Sequence, residues 1–264
     1  MTLPLRFLLG FVLSTLVGLI GYRRAALTRS GWLGAILTGT AIFGFGGLDW
    51  GLLLIAFFAS SSILTRYKES AKLEVAVNFA KGGRRDLAQA LANGGVAALT
   101  AIAYGINPSP IILAAFVGAL AEANADTWST ELGILSQRLP RLITTGREVA
   151  AGTSGGVTSQ GTLAAAIGAG VIGGLAALFR SNWRLLPIGI LSGLIGASFD
   201  SLMGATVQGI YYSDRRHKET EKAIDPDGTP NRLLRGLRVI DNDVVNFTST
   251  LVGSIVGGLL SVWL

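Results

Sequence analysis

The sequence predicts an all-α fold, a polytopic integral membrane helix bundle of about seven or eight transmembrane helices, in a single domain over residues 1–264. Half of the residues are apolar, only 14% are charged, and the mean hydropathy is +0.53. This composition is typical of membrane proteins. Apolar segments also recur along the whole chain, separated by polar loops.

Eight apolar segments can be recognised, at about residues 3–21, 30–45, 50–65, 86–106, 108–136, 161–179, 185–212 and 242–264. The first is predicted to be a retained span and not a signal peptide, because no small-x-small cleavage site precedes Tyr22. The second and third are short for a hydrocarbon core of about 30 Å. They either span the membrane or form a re-entrant hairpin broken at residues 46–49. Either choice leaves their outer ends on the same side.

The basic residues predict the orientation. Nineteen of the 22 Lys and Arg residues lie in four loops, at residues 21–29, 66–85, 137–160 and 213–240. The positive-inside rule makes these loops cytoplasmic (or stromal) and places both termini outside. The net charge of +6 is therefore a consequence of topology, and we reject a nucleic-acid partner. We expect a multi-pass protein of a plasma or thylakoid-type membrane, either monomeric or homodimeric.

Two absences narrow the chemistry. The chain has no cysteine, which excludes disulfides, thiolate metal sites and a cysteine nucleophile. Its single histidine, His217, lies in a charged run of residues 214–218 and is predicted to be a solvated loop residue. Histidine-based triads and His-rich metal sites are therefore not expected.

Residues 121–133 carry the main functional signal, because they end an apolar run with carboxylates and no basic residue. On a helix, Glu122, Asp126 and Ser129 share one face, whereas Glu131 points elsewhere. A carboxylate is costly in lipid and normally faces the interior of a bundle, where it has a function.

Four helices are predicted to bring carboxylates and amides to a similar depth at the cytoplasmic end, given a rise of about 1.5 Å per residue. Besides Glu122 and Asp126 these are Asp200 and Gln208, Asn242, Asp243 and Asn246, and Gln89 and Asn93. Such oxygen-rich sites suit Mg²⁺, which commonly joins protein carboxylates to substrate phosphates. We therefore predict Mg²⁺ as the cofactor, with Asp126, Glu122, Asp200 and Asp243 as ligands and the first three as catalytic residues.

Several of these residues also have a plain structural explanation. Asp241 can cap the last helix and Asp243 can favour its dipole. Gln89 and Asn93 can hydrogen-bond between helices, and Glu131 can be interfacial and solvated. The carboxylates within the fifth and seventh segments are harder to explain in this way, because each lies in an apolar run with no base near it in sequence.

Two stretches flank this cluster on the same predicted side. One precedes the sixth segment and contains the glycines and hydroxyls Gly152, Thr153, Ser154, Gly155, Gly156 and Thr158. Glycines before a helix N-terminus can cradle phosphates, although flexible linkers have a similar composition. The other contains Lys81, Arg84 and Arg85, which are either a phosphate clamp or ordinary positive-inside charge.

Five motifs in order resemble those of the phytyl-phosphate kinase family, which includes animal transmembrane protein 19 and many prokaryotic membrane proteins. They are Lys81-Gly-Gly-Arg-Arg85 with Gln89 and Asn93, Asn124-Ala-Asp-Thr-Trp-Ser-Thr-Glu-Leu-Gly133, Gly152-Thr-Ser-Gly-Gly-Val-Thr158, Asp200 to Gln208, and Asn242-Asp-Val-Val-Asn246. The resemblance covers nearly the whole chain after about residue 30. It implies nucleotide or substrate contacts for the polar residues of these motifs, Asn124, Glu131 and Gln208 included.

A remoter similarity links the chain to CTP-dependent dolichol kinases and CDP-diacylglycerol synthases. Asp126, Ser129 and Gly133 match the spacing of their D-x-x-A-x-x-x-G motif. Residues 154–161 echo the S-P-x-K-T-x-E-G motif that follows it, but Val157 stands in place of the lysine. A phosphate-binding charge would therefore have to come from another basic residue.

These resemblances imply a membrane kinase that converts an isoprenoid monophosphate, such as phytyl phosphate, to its diphosphate. The donor would be a nucleoside triphosphate, CTP by resemblance, with Mg²⁺. Alternatives are a prenyl-alcohol kinase or a cytidylyltransferase and, in a different class, a lipid or ion-coupled transporter. Transporters usually place buried carboxylates near the bilayer midplane, whereas here the carboxylates are predicted at one end.

Overall fold

The computed structural model describes residues 2–76 and 83–264, with the side chains of 73–76 left out. The described helices are α1 (Leu3–Arg23), α2 (Arg29–Ala41), α3 (Leu48–Arg66), α4 (Glu69–Ala76), α5 (Leu87–Ile106), α6 (Pro110–Gly133), α7 (Ser159–Arg180), α8 (Leu185–Thr206) and α9 (Asn242–Trp263). Seven of them, all but α2 and α4, are long and apolar enough to cross a membrane. This confirms the predicted polytopic helix bundle.

Helix α2 is short, but a π-helical turn at Ile42–Gly46 extends it. Gly34 lies against Ala90 near one end of α5, and Phe45 lies against Gly105 near the other. Helix α2 and its π turn thus run beside α5 for the whole length of that span. The structure therefore favours an eighth crossing over a re-entrant hairpin.

Helix α6 is the centre of the bundle, in contact with α3, α5, α7, α8 and α9. Its central part is buried on every side. Small residues allow the close approach: Gly118 lies against the carbonyl of Gly253, and Gly257 against that of Ala114. Gly193 likewise lies against α6 and α7. The two GxxxG pairs of α8 and α9 therefore serve helix packing.

The bundle has one end that carries the long loops. Helices α6 and α8 end there, and α5, α7 and α9 begin there. We call it the basic side, because the loops predicted to be basic join these helix ends. At the opposite side Arg180, at the end of α7, forms an ion pair with Asp49, at the start of α3.

Two small sheets lie in the loops of the basic side, where the sequence predicted only irregular structure. The α6–α7 loop holds an antiparallel pair, β1 (Arg141–Leu142) and β2 (Gly156–Val157). The α8–α9 loop holds an antiparallel sheet of β3 (Ile210–Ser213), β4 (Lys218–Thr220) and β5 (Arg232–Arg235) in the order β4-β3-β5. The β-branched and aromatic residues at the start of β3 are the sequence signal for this sheet.

A buried carboxylate fixes the α8–α9 loop. Asp225 accepts hydrogen bonds from Ser213 Oγ at 2.6 Å, Arg216 Nη2 at 2.7 Å and Asn231 Nδ2 at 3.1 Å. The hydrogen bond from Ser213 is the main cause that lowers the pKa of Asp225. The loop is thus a folded unit, and His217 is exposed in its β3–β4 turn, as the sequence predicted.

Cysteine labelling can test the predicted orientation, because the chain has no cysteine of its own. His217 is exposed on the basic side and Asn107 is exposed between α5 and α6 on the other. A membrane-impermeant maleimide should label cysteine at position 217 from the cytoplasmic side only and cysteine at position 107 from the outside only. If both cysteines are labelled from the same side, the eight predicted crossings are wrong. If position 217 is labelled from the outside and position 107 from the cytoplasm, the predicted orientation is reversed.

Candidate functional site

A polar cavity of about 540 Å³ opens at the basic side between the ends of α5, α6, α7, α8 and α9. One wall carries three carboxylates: Asp126 on α6, Asp200 on α8 and Glu221 just after β4. The three interact electrostatically with one another. Like charges held together in this way call for a cation or a proton. Sequence reasoning missed Glu221, because it lies in a loop with no local pattern.

Three basic residues also line the cavity, of which Arg138 is exposed whereas Arg85 and Lys72 are partly or fully buried. Arg85 donates a hydrogen bond to Ser62 Oγ at 3.2 Å, and its guanidinium lies 5.9 Å from the centroid of the Phe58 ring. Burial lowers the pKa of Arg85, and the charge of Glu131 opposes this shift. Among the described residues, no carboxylate lies within salt-bridge distance of Arg85. A partly buried cation of this kind can bind an anion from the cavity.

The second basic residue, Lys72, is already paired. Its Nζ lies 2.6 Å from Glu131 Oε2 and also donates to the carbonyl of Leu64 at 2.6 Å. The side chains are only 6% and 17% exposed. Lys72 therefore balances the charge of Glu131, and the ion pair joins α4 to α6 at the cavity.

Three helix N-termini point towards the cavity. Helices α5, α7 and α9 are capped by Asp86, Thr158 and Asp241, whose side chains accept the backbone N–H of Gln89, Gly161 and Val244 at 2.9, 2.9 and 3.0 Å. Their early turns supply the cavity residues Gln89, Asn93, Gly161, Thr162, Asn242 and Asn246. Helix N-termini favour anions, phosphates in particular.

The glycine-rich loop before α7 forms a further part of the lining. Gly152 and Gly155 have φ of +82° and +83°, values that suit glycine best. Gly155 lies tightly against Ala205 near the end of α8. Ser154 Oγ donates to Gln208 Oε1 at 2.7 Å, so the loop is held in place and does not behave as a flexible linker.

Arg235 fastens this loop to α8. From strand β5, its Nη1 donates to the carbonyl of Gly204 at 2.7 Å and its Nη2 to the carbonyl of Ser154 at 3.1 Å. One guanidinium thus joins the extramembrane sheet, the end of α8 and the glycine-rich loop. No local sequence pattern indicates this role, because Arg235 is one of several arginines in a basic loop.

Replacing Arg235 with glutamine should loosen the glycine-rich loop. The change removes two charge-assisted hydrogen bonds, each worth about 1.5–3 kcal/mol, so amide exchange in residues 152–158 should rise by about tenfold or more. Hydrogen-exchange mass spectrometry measures this directly. Arg232→Gln, on the same strand but stacked on Tyr212, is the matched control. Equal amide protection in the wild type and in Arg235→Gln would show that Arg235 does not hold the glycine-rich loop in place.

The structure brings most of the predicted site residues together. Those that line the cavity are Arg85, Asn93, Asp126, Ser129, Glu131, Gly152, Thr153, Ser154, Gly155, Gly156, Thr158, Asp200, Asn242 and Asn246. They come from the four helices α5, α6, α8 and α9, from the glycine-rich loop before α7 and, for Arg85, from the segment just before α5. Lys81 lies outside the described residues, so its predicted part in a phosphate clamp stays a prediction.

Glu122, predicted as a catalytic residue and a metal ligand, does not line the cavity. It is 1% exposed, and its side chain lies against Gly196 of α8 and Gly253 of α9. The nearby Ser249 Oγ donates to Asp200 Oδ2 at 3.4 Å and to the carbonyl of Asn246 at 3.0 Å. Glu122 thus lies one helical turn behind Asp126, packed between α8 and α9.

Asn124 and Gln208, both predicted to bind substrate or nucleotide, also lie outside the cavity lining. Asn124 is fully buried, donates to the carbonyl of Gly168 at 2.7 Å and accepts from Ser60 Oγ at 3.1 Å. It therefore joins α6 to α7 and α3. Gln208 is buried beneath the glycine-rich loop and receives the hydrogen bond of Ser154.

Two charged residues also lie away from the cavity. Arg84 is exposed, and its Nη2 donates to the carbonyl of Leu27 at 3.2 Å. Asp243 lies in the first turn of α9 but is not among the cavity residues. The structure thus separates the two neighbouring arginines. It places Asp243 outside the cavity lining, and its role as a metal ligand stays a prediction.

The residues of the cavity fit Mg²⁺ in one particular mode. In the described parts of the chain, no three Asp, Glu, His or Cys side chains form a group that could hold a metal ion. The available donors are all oxygens, from the carboxylates Asp126, Asp200 and Glu221. Mg²⁺ usually takes one or two protein carboxylates and completes its shell with water and substrate phosphates. This donor set suits a metal that arrives with a phosphate ligand.

The fold and this cavity define a multi-pass integral membrane protein with a carboxylate-lined polar site at one end of its bundle. The chain belongs to the DUF92 family of integral membrane proteins, whose family profile matches residues 12–254. This confirms the family membership drawn from the five motifs. No solved structure matches the chain.

Three relatives show how far the similarity extends. Protein PGR of Arabidopsis thaliana is 35% identical over 98% of this chain and 97% of its own length. An uncharacterized membrane protein of Methanocaldococcus jannaschii is 29% identical over 97% of this chain and 94% of its own. An uncharacterized membrane protein of Synechocystis sp. is 30% identical over 69% and 72%. The first two similarities span the whole bundle and its loops.

Proposed function

We propose that this protein is a membrane kinase that phosphorylates an isoprenoid monophosphate, phytyl phosphate in the first place, with CTP as the nucleoside triphosphate and Mg²⁺ as the cofactor. One observation carries the proposal: the carboxylates Asp126, Asp200 and Glu221 share a cavity with the partly buried cation Arg85. Carboxylates that can hold a metal–triphosphate and a cation that can hold a second phosphate are the parts that phosphoryl transfer needs.

The proposed roles follow from position. One or two of the carboxylates Asp126, Asp200 and Glu221 would hold Mg²⁺, which neutralises charge on the triphosphate when bound. The glycine-rich loop and the N-terminus of α7 would bind the triphosphate through backbone N–H groups. Arg85 would hold the acceptor phosphate. Positioning and electrostatic stabilisation supply most of the catalysis in this chemistry.

A phosphate acceptor suits this cavity better than an alcohol. A phosphate monoester has a second pKa near 6 and is largely dianionic at neutral pH, so its oxygen needs no base to activate it. An alcohol needs one, and the single histidine of the chain, His217, is exposed in the β3–β4 turn. Arg85, without a carboxylate at salt-bridge distance in the described chain, favours an acceptor that brings negative charge.

The transporter alternative is less well supported. Asp126 and Asp200 lie about two turns before the ends of α6 and α8, towards the basic side, and Glu221 lies in the loop after β4. Coupling carboxylates of transporters usually lie near the midplane. An enzyme that acts at the interface, which we place at the cytoplasmic face, needs its polar groups at the end of the bundle.

A single assay tests the proposal. The purified full chain in detergent is incubated with Mg²⁺, CTP or ATP, and either phytyl phosphate or phytol, and the products are separated by mass. We expect phytyl diphosphate from the monophosphate with CTP, and its loss when EDTA removes the metal. Product from phytol alone would indicate an alcohol kinase, and a CDP-linked product a cytidylyltransferase.

A further inference from the structure

A second cavity, of about 70 Å³, lies between α1, α2, α3 and α5, and its walls are mainly apolar. They include Val17, Ala35, Leu54, Phe57, Phe58 and Gly94. Three side chains, Arg85, Gln89 and Asn93, line both this pocket and the polar cavity. The two spaces therefore meet along one edge of α5.

The shared residues form a boundary between the two spaces. Gln89 and Asn93 share one face of α5 because they are four residues apart, and Arg85 lies just before the N-cap residue Asp86. The three line both spaces and form one stripe. Gln89 Oε1 is buried and has no hydrogen-bond partner among the described residues. Ala90 and Gly94, one position further along, line only the apolar pocket. The stripe thus faces the polar cavity on one side and the apolar pocket on the other.

We infer that the apolar pocket binds the hydrocarbon chain of the lipid substrate next to its phosphate, with the phosphate at Arg85. This inference rests on the proposed function. An amphiphile requires a polar site and an apolar site in direct contact, and Arg85 is the charged residue found in both linings. Phe58, beneath the guanidinium, belongs to the apolar wall and can contact the first carbons of the chain.

The size of the pocket indicates what it recognises. A space of about 70 Å³ holds roughly five water-sized groups, which corresponds to about one isoprene unit. The remainder of a longer chain must extend beyond it. The pocket therefore binds the part of the isoprenoid chain nearest the phosphate. Substrate specificity should depend on the structure of that part more than on the total length of the chain.

The other apolar contact of the polar cavity lies between α7 and α8. There Ala165, Leu194 and Ala197 line the cavity together with the hydroxyl residues Thr162, Ser198 and Ser201. This mixed surface is less suited to a hydrocarbon chain than the pocket between α1, α2, α3 and α5. It is the competing location, and the experiment must separate the two.

Photolabelling can locate the hydrocarbon chain of the substrate directly. The probe is a prenyl monophosphate with a diazirine on its first isoprene unit, applied to the full-length protein, with adducts mapped by mass spectrometry. We expect adducts on α1, α2, α3 or α5, around Val17, Ala35 and Leu54, and competition by unlabelled prenyl monophosphate. Adducts on α7 or α8 around Ala165 and Leu194, or no competable adduct, would overturn the inference.

A pair of glycine variants provides the second test. A Cβ at Gly94 would lie 3.5 Å from Thr38, and one at Gly95 would lie 3.8 Å from Phe247 of α9. Both positions therefore accept a side chain, but only that at 94 fills the pocket. Gly94→Leu should reduce photolabelling and raise KM for the monophosphate by about tenfold, equivalent to about 1.4 kcal/mol, or roughly two buried methylene groups. Gly95→Leu should change both by less than about twofold.

Nucleotide binding keeps the two proposals apart. The affinity for CTP with Mg²⁺ should be unchanged in Gly94→Leu, and Gly94→Ala provides a milder variant if leucine prevents folding. Competable labelling of the pocket without kinase activity would reject the proposed reaction but retain the lipid-phosphate site. Kinase activity with labelling at α7 or α8 would support the proposed reaction but reject the apolar pocket as the site of the hydrocarbon chain.

Discussion

Replacing Asp126 with asparagine should lower kcat by about 10²–10³-fold, the usual loss when one preorganised electrostatic group is removed from an active site. Asparagine preserves the shape of the side chain but removes the charge that can hold a metal–triphosphate. Asp126 shares the cavity with Asp200 and Glu221, whereas Glu131, a second carboxylate of α6 in the lining, is paired with Lys72. The measurement is diphosphate formation at saturating CTP, Mg²⁺ and prenyl monophosphate.

The control for this variant is a carboxylate at the other end of the bundle. Asp49 on α3 pairs with Arg180 on the side opposite the cavity, so Asp49→Asn should keep activity within about twofold. Thermal unfolding and size-exclusion profiles establish that both variants fold. Wild-type turnover in a folded Asp126→Asn would remove Asp126 from the metal site and with it the proposed mechanism.

The fold was predictable because a bilayer leaves the chain few choices. Backbone polar groups in lipid must be satisfied within the segment, so long apolar runs become helices. The second segment was ambiguous because α2 alone is too short to span, and only its contacts with α5 reveal that the π turn at Ile42–Gly46 completes the crossing. The two sheets were missed because they lie outside the membrane, where the bilayer imposes no such constraint.

The candidate site was predictable where helix geometry determines position. Asp126, Asp200, Asn93 and Asn246 lie on four helices, and their depths follow from the rise per residue. Depth does not reveal whether a neighbouring helix covers the side chain. Glu122 shares the stripe of Asp126, but the glycines of α8 and α9 allow these helices to close over it.

The remaining site residues depend on tertiary contacts. Lys72, Glu221 and Arg235 lie in α4 and in the α8–α9 loop, far in sequence from the groups that they contact or face. In the sequence each is one charge among several in a basic loop. Arg84 and Arg85 illustrate the same limit, because adjacent residues at a helix start point in different directions and only the fold selects between them.

This difference between the two arginines gives the second major prediction. Arg85→Gln should lower kcat/KM for prenyl monophosphate by about 10–100-fold, the equivalent of the 1–3 kcal/mol that a charge-assisted hydrogen bond contributes. Arg84→Gln should leave it within about twofold, because the Arg84 guanidinium contacts the carbonyl of Leu27 and not the cavity. Initial rates over a range of monophosphate concentrations, at saturating CTP, measure both.

The pattern across substrates then identifies the acceptor. If Arg85 holds the phosphate of the acceptor, Arg85→Gln should raise KM for the monophosphate while KM for CTP stays unchanged, and phytol should be a poor substrate of both proteins. If Arg85 contacts the triphosphate instead, KM for CTP should rise. If the acceptor is an alcohol, phytol should react as fast as phytyl phosphate and neither arginine should affect it. Because Arg85 is partly buried with no carboxylate of the described chain at salt-bridge distance, and lines the apolar pocket as well as the polar cavity, we expect the first pattern.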